Sequence, residues 1–296
     1  MNPLRLLFLL ALAALSSMAS AALPPPPVVE KQRESFLSGG RRISVETFAP
    51  KVPGRYPAVL VLHSSAGTLF GKRELEQFSQ SLAERGMVAF LVRYFDRTGT
   101  IFAGDGGIDR HLHVWEDTII DGISFAAAHP RVRAESIGIF GYSLGAFLGV
   151  SVASRDARVD AVAELAGGMF DYLGGRLRRV PPTLILHGTA DKRVNVSYAR
   201  ALEREARRLG ARPVVYLFPG EGHVLSKTAS AAASARAISF LGEHLRTRSS
   251  ARSGRATSAP PRKRNLGSGL LCREIAGRFF ETPCRLAEAA YKAAPN

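Results

Sequence analysis

Cysteine is almost missing: two residues in 296, both beyond position 270. Neither has a histidine nearby in sequence, so a cysteine–histidine metal site is not expected. Long apolar runs are missing too, apart from the first twenty residues, "MNPLRLLFLLALAALSSMAS". That run is short for a hydrocarbon layer of about 30 Å and dissolves into Ser and Ala. With Arg5 at its start and Ala19-Ser20-Ala21 at its end, residues 1–21 read as a secretory signal peptide cleaved near Ala21-Ala22 rather than a retained anchor. An exported protein, periplasmic or secreted, is the expectation. No cysteine stands at the cleavage point, so lipid attachment there is not expected.

Acidic residues are also scarce, 25 against 40 Lys and Arg. The excess is uneven. Residues 246–296 hold eleven Arg or Lys against three Glu, about half of the net charge of +15. Residues 247–269 read as a basic Ser/Gly/Pro-rich linker. No aromatic ladder or binding helix accompanies the charge, so nucleic acid is not the expected partner. A weak association with anionic surfaces stays open. Beyond the linker, residues 270–296 space Leu271, Ile275 and Phe279, then Leu286 and Ala290, as two short helices. A helical hairpin is expected there, with Cys272 and Cys284 able to close a disulfide in an oxidising compartment.

What is there in quantity is apolar sequence, 46% of the chain, enough for one sizeable core. Residues 22–41 are expected as a Pro-rich lead-in and 42–246 as the folded domain. Short apolar runs alternate with periodic ones. "RISVETFAP" reads as an edge strand, "YPAVLVL" as a buried strand, and "MVAFLV", "SIGIF", "AVAEL", "PTLIL" and "PVVYLF" as further strands. "KRELEQFSQSLAERG", "HVWEDTIIDGISFAAAH", "LGAFLGVSVAS", "NVSYARALEREARRLG" and "ASAAASARAISFLGEHLR" read as helices. Wholly apolar strands need cover on both faces. The expected class is therefore α/β, with a mostly parallel central sheet between helices.

In such sheets chemistry gathers where strands stop. Four runs stop in polar, glycine-rich turns: "HSSAG" at 63–67, "GYSLG" at 141–145, "HGTADKRV" at 187–194 and "PGEGHVL" at 219–225. They hold Ser143, Asp191 and His223, in the chain order of a nucleophile, an acid and a base on a sheet of this kind. A serine hydroxyl needs a base to take its proton. Gly141 and Gly145 permit the strained turn that exposes it. The N–H of Leu144 and one from Ser65, or its neighbour Ser64, would hold the developing oxyanion. Asp171 and Glu221 are weaker candidates for the acid. His63 and His187 follow strands directly and are expected to brace loops. His111 and His113 lack a ligand pattern, and His129 looks structural. Neither metal nor cofactor is expected.

Together "VLVLHSSAG", "IGIFGYSLGA", "LILHGTADKRV" and "FPGEGHVL" resemble the dienelactone hydrolase family of the α/β-hydrolase superfamily, over residues 40–246 or so. The resemblance implies an α/β-hydrolase fold, Ser143 as nucleophile, Asp191 as acid, His223 as base, and Leu144 and Ser65 as oxyanion donors. The namesake enzymes carry cysteine at the elbow and a glutamate in the first loop. Here Ser143 and Ser64 stand in those places. The chain is thus expected to be a serine hydrolase of a small-molecule ester or lactone, with dienelactone itself not implied. Arg93 and Arg97 are candidates for meeting a substrate carboxylate. Two alternatives are a serine peptidase of small peptides and a non-catalytic binding protein of the same fold. About twenty residues separate the expected cleavage site from "RISVETFAP", too few for the gating propeller of oligopeptidases in this superfamily, which favours the ester.

Overall fold

The structure is a computed structural model and describes residues 27–251. The expected signal peptide, the rest of the basic linker and the Cys272/Cys284 hairpin lie outside the described residues.

Eight strands form one sheet in the order β1-β2-β4-β3-β5-β6-β7-β8. They are β1 (Val29–Ser38), β2 (Arg41–Pro50), β3 (Tyr56–Leu62), β4 (Val88–Val92), β5 (Val132–Tyr142), β6 (Val159–Leu165), β7 (Thr183–Gly188) and β8 (Val214–Phe218). The two pairings of β2 are antiparallel and all the others parallel. Helices α2 (Asp105–Ala128), α3 (Leu144–Arg155) and α4 (Ser197–Arg208) cover one face of the sheet. Helices α1 (Lys72–Glu84) and α5 (Lys227–Ala251) cover the other. This is the mostly parallel α/β sheet expected, with the architecture of an α/β-hydrolase.

The apolar strands explain the two-sided cover. Every residue of β4 is buried, as are six of the seven in β3. In α1 the spacing of Leu75, Phe78 and Leu82 turns one stripe to the sheet, and all three are buried. Full burial of a side chain such as Leu82 contributes about 1.5–3 kcal/mol. The helix stops at Gly86, whose φ of 78° few other residues adopt. Trp115 is wholly buried in α2, and its indole N–H donates to Thr98 Oγ1 at 2.9 Å.

Three boundaries differ from expectation. The sheet starts before residue 42: Val29–Ser38, expected within a lead-in, is the edge strand, and "RISVETFAP" lies inside it. The pair is closed by Gly39 and Gly40 with φ of 48° and 77°. Two positive φ values in a two-residue loop match the twist of a hairpin, and glycine supplies them without strain. Helix α2 starts at Asp105, ahead of the expected "HVWED", because Ile108 and Leu112 add a turn to its buried face. Helix α5 runs to Ala251, past the expected domain end at 246.

Candidate active site

Strand β5 ends at Tyr142 and α3 begins at Leu144. Ser143 alone makes the corner, with φ 53° and ψ −119°. A non-glycine residue there is strained, and such strain persists only where the surroundings fix it. They do. The Ser143 N–H donates to Leu165 O at 2.9 Å, and Ser143 O accepts from Ala146 N–H at the same distance. The flanking glycines leave no room for alternatives. A Cβ on Gly145 would lie 2.5 Å from the carbonyl oxygens of Leu62 and His63. One on Gly141 would lie 2.3 Å from Gly145 O.

The corner presents its hydroxyl to a histidine. Ser143 Oγ lies 3.0 Å from His223 Nε2, and His223 Nδ1 lies 2.8 Å from Asp191 Oδ2. The carboxylate can only accept, so Nδ1 carries the proton and Nε2 is free to take one from Ser143. The other oxygen of Asp191 accepts the backbone N–H groups of Arg193 and Val194 at 2.8 and 2.9 Å. Burial alone would raise this carboxyl. The contacts with His187, His223 and the Val194 N–H outweigh it and hold the group well below the usual carboxylate range. Ser143, Asp191 and His223 are therefore brought together from three strand ends.

The other expected residues sort themselves by contact. Leu144 is the first residue of α3, so its N–H is among those a helix leaves unpaired. Ser65 is buried in the turn after β3, and its carbonyl accepts the Ala103 N–H at 2.8 Å. His63 braces this turn. Its ring stacks on Tyr94 at 4.0 Å, and its Nδ1–H donates to Ser64 O at 2.9 Å. Burial pushes its pKa down to about 4, so it is neutral at ordinary pH.

Asp171 opens a 3-10 turn, and Glu221 accepts both the N–H and the hydroxyl of Ser226; it is Asp191 that meets His223. Arg97 is turned away to the β1–β2 hairpin, where it donates to Ser38 Oγ at 2.5 Å and lies against Gly39. Arg93 lies 3.4 Å from Asp96, and with His63, Leu69, Phe95 and Ile101 it lines a cavity of about 280 Å³. His113 pairs with Glu116 at 2.9 Å and His111 lies by Trp115. His129 accepts the Arg131 N–H at 3.2 Å.

Two neighbours were not anticipated. The Tyr142 hydroxyl donates to His223 O at 3.2 Å, with its ring against the imidazole. Buried Glu164 accepts the Gly167 N–H at 3.0 Å, behind the elbow. Tyr142 stands inside the elbow motif itself, a signal that could have marked it. The carboxylate inside the otherwise apolar run "AVAEL" was the available sign for Glu164.

Fold and elbow together define a hydrolase of the α/β-hydrolase superfamily. The family model described as Dienelactone hydrolase family matches residues 43–245, and the chain belongs to that family. It is 25% identical over 211 residues to "Uncharacterized peptidase YtmA" of Bacillus subtilis (strain 168), covering 59% of this chain and 78% of that protein. It is 26% identical over 166 residues to human "Acyl-coenzyme A thioesterase 1", covering 56% of this chain and 36% of the thioesterase. The match thus spans little more than a third of that relative. Among solved structures, a dienelactone hydrolase-like promiscuous phosphotriesterase, P91, from metagenomic libraries superposes with a TM-score of 0.65 at 17% identity, over 73% of this chain and 99% of that one. A putative dienelactone hydrolase from Klebsiella pneumoniae gives 0.62 at 16%, over 73% and 99%. At such identities these likenesses speak for the fold.

Proposed function

We propose that this chain hydrolyses small carboxylic esters, lactones included, through an acyl-enzyme on Ser143. The observation that carries this reading is the hydrogen-bonded chain from Ser143 Oγ through His223 to buried Asp191, mounted on a strained corner. In the proposed cycle His223 Nε2 takes the Ser143 proton as Oγ attacks the carbonyl carbon. The N–H groups of Leu144 and Ser65 hold the oxyanion; losing one such donor costs about 2.7–4 kcal/mol in the transition state. His223 returns the proton to the leaving alkoxide. Water, activated by the same nitrogen, then releases the acid. Asp191 keeps the imidazole in the tautomer that both steps need and stabilises its charged form. No cofactor enters this cycle. Export to the periplasm or medium, with signal-peptide cleavage near Ala21-Ala22, belongs to the same proposal.

A panel of p-nitrophenyl esters, with an aminoacyl p-nitroanilide alongside, tests it. Ester turnover should vanish in S143A and H223A while both variants stay folded, and a fluorophosphonate should label Ser143. Wild-type turnover in S143A would overturn the mechanism. Faster cleavage of the anilide than of any ester would instead favour the peptidase reading, which the name of the Bacillus relative supports. Folded protein with neither activity nor labelling would leave a binding protein.

A further inference from the structure

His223 has far to reach. It lies five residues past Phe218, the end of β8, yet it meets Ser143 at the end of β5. Strands β6 and β7 stand between the two. Three strand spacings make about 14 Å across the carboxyl edge of the sheet. The stretch 218–225 therefore runs back over that edge as a bridge, and where it lands decides where the imidazole stands.

The first half of the bridge is well tied. Thr189 N–H donates to Phe218 O at 3.0 Å, and Ala190 N–H to Glu221 O at 2.9 Å. Gly220 N–H donates to Thr189 Oγ1 at 2.9 Å. A Cβ on Gly188 would lie 2.4 Å from Glu221 O and 2.6 Å from Gly222 O. All these contacts are with β7 and the loop after it. Beyond them the ties thin out. Among the described residues, the backbone of 222–225 makes one hydrogen bond, the one that His223 O accepts from the Tyr142 hydroxyl at 3.2 Å. Val224 is 79% exposed. Leu225 packs on the core under α5, a contact without direction. Glu221 then clasps Ser226, which closes the loop on itself rather than on the sheet.

The strand places Tyr142 for this task. Phe140 lies in the core between the sheet and helices α1 and α5, and residues two apart share a face. Tyr142 therefore stands on the same side at the very end of β5, one residue before Ser143. Its ring packs against that core and lies 5.5 Å from the imidazole of His223, inclined by 28°. The ring supports the face of the imidazole, while the hydroxyl holds the backbone that carries it.

We propose that Tyr142 is a positioning residue for the base: it pins the far end of the loop after β8, so that His223 Nε2 stays within reach of the reacting atoms. The pin serves both halves of the cycle. In the resting enzyme the imidazole is also held at its two nitrogens, by Asp191 and by Ser143 Oγ. Once Ser143 carries an acyl group its hydroxyl proton is gone, and the bond to Nε2 goes with it. Asp191 on Nδ1 and Tyr142 on the backbone then keep His223 aimed at the water it activates. A misplacement of about 1 Å in such a site can cost about a hundredfold in rate.

The inference rests on the acyl-enzyme reading of Ser143, Asp191 and His223, and its test separates the two. Y142F removes one oxygen and leaves the ring. On a soluble p-nitrophenyl ester its kcat should fall about three- to tenfold, the worth of one such hydrogen bond, with KM within about twofold. Fluorophosphonate labelling of Ser143 should slow by a similar factor, since it too needs His223 to take the proton. The melting temperature should stay within about 4 °C of wild type. Y142L, which removes the ring as well, should lower kcat further at a similar KM. A wild-type kcat in folded Y142F, or labelling at the wild-type rate, would overturn the inference. So would a rise in KM with a collapse of the melting temperature, which marks a packing residue. Turnover surviving in S143A would overturn the acyl-enzyme reading instead.

Discussion

Ser143 occupies a backbone conformation that costs of order 1–3 kcal/mol for a side-chain-bearing residue. Glycine adopts it freely. S143G should therefore abolish ester turnover and yet raise the melting temperature, whereas S143A should abolish turnover without that gain. Melts of the two variants side by side check this. Asp191 gives a second prediction. Its folded-state pKa is depressed, so its stabilising contribution is present in full above the ordinary carboxylate value of 3.8 and is lost as pH falls below it. D191N should lower turnover by roughly 10³–10⁴-fold. Its deficit in denaturant stability should be largest near neutral pH and shrink toward pH 3. Ser143, Asp191 and His223 were legible because each follows an apolar run that stops in a glycine-containing turn, where a polar residue has few other reasons to be. His187 was legible as a brace. Its bond to Asp191 was not, because it depends on the loop 187–194 folding back on itself, which brings Val194 O to Nε2. Glu164 was hidden because a charge near a strand end usually points to water.

At the scale of elements, the strand-to-helix corner depends on how closely α3 approaches β3. Gly145 allows that approach, and G145A would press a methyl onto two carbonyl oxygens at 2.5 Å. The expected cost is about 1–3 kcal/mol or more, since such overpacking shifts backbone rather than flexible side chains. Turnover should fall with it, because the shift moves Ser143. Urea unfolding and ester kinetics on the same preparation measure both. The buried strands and most helices could be read from apolar run length and spacing. β1 could not, because "VEKQRESFLS" is dominated by polar and charged residues and lacks the continuous apolar run that marked the others. The signal that could have found it is the Gly39-Gly40 pair joining two segments of equal length.

For the whole molecule, charge and catalysis are separated along the chain. About half of the net positive charge lies beyond residue 245, while Ser143, Asp191 and His223 all lie before it. Cutting after residue 251 keeps α5 whole. That variant should hydrolyse soluble esters within about twofold of the full chain, and should lose any salt-sensitive adsorption to anionic vesicles. Kinetics and vesicle co-sedimentation of the two forms check the two halves of the prediction. A large loss of turnover would show that the tail serves the site.

The two borders of the sheet are unlike each other. β1 exposes Lys31, Gln32 and Arg33, and β8 is five residues long between Pro213 and Pro219, with Val214 and Tyr216 exposed. Charge on one border and brevity with proline on the other both discourage strands of separate molecules from pairing. Solubility at high concentration is thus written into the rims of the sheet. Replacing Lys31 and Arg33 with threonine should leave dilute enzyme active and make concentrated solutions scatter light, as bare borders begin to join molecule to molecule.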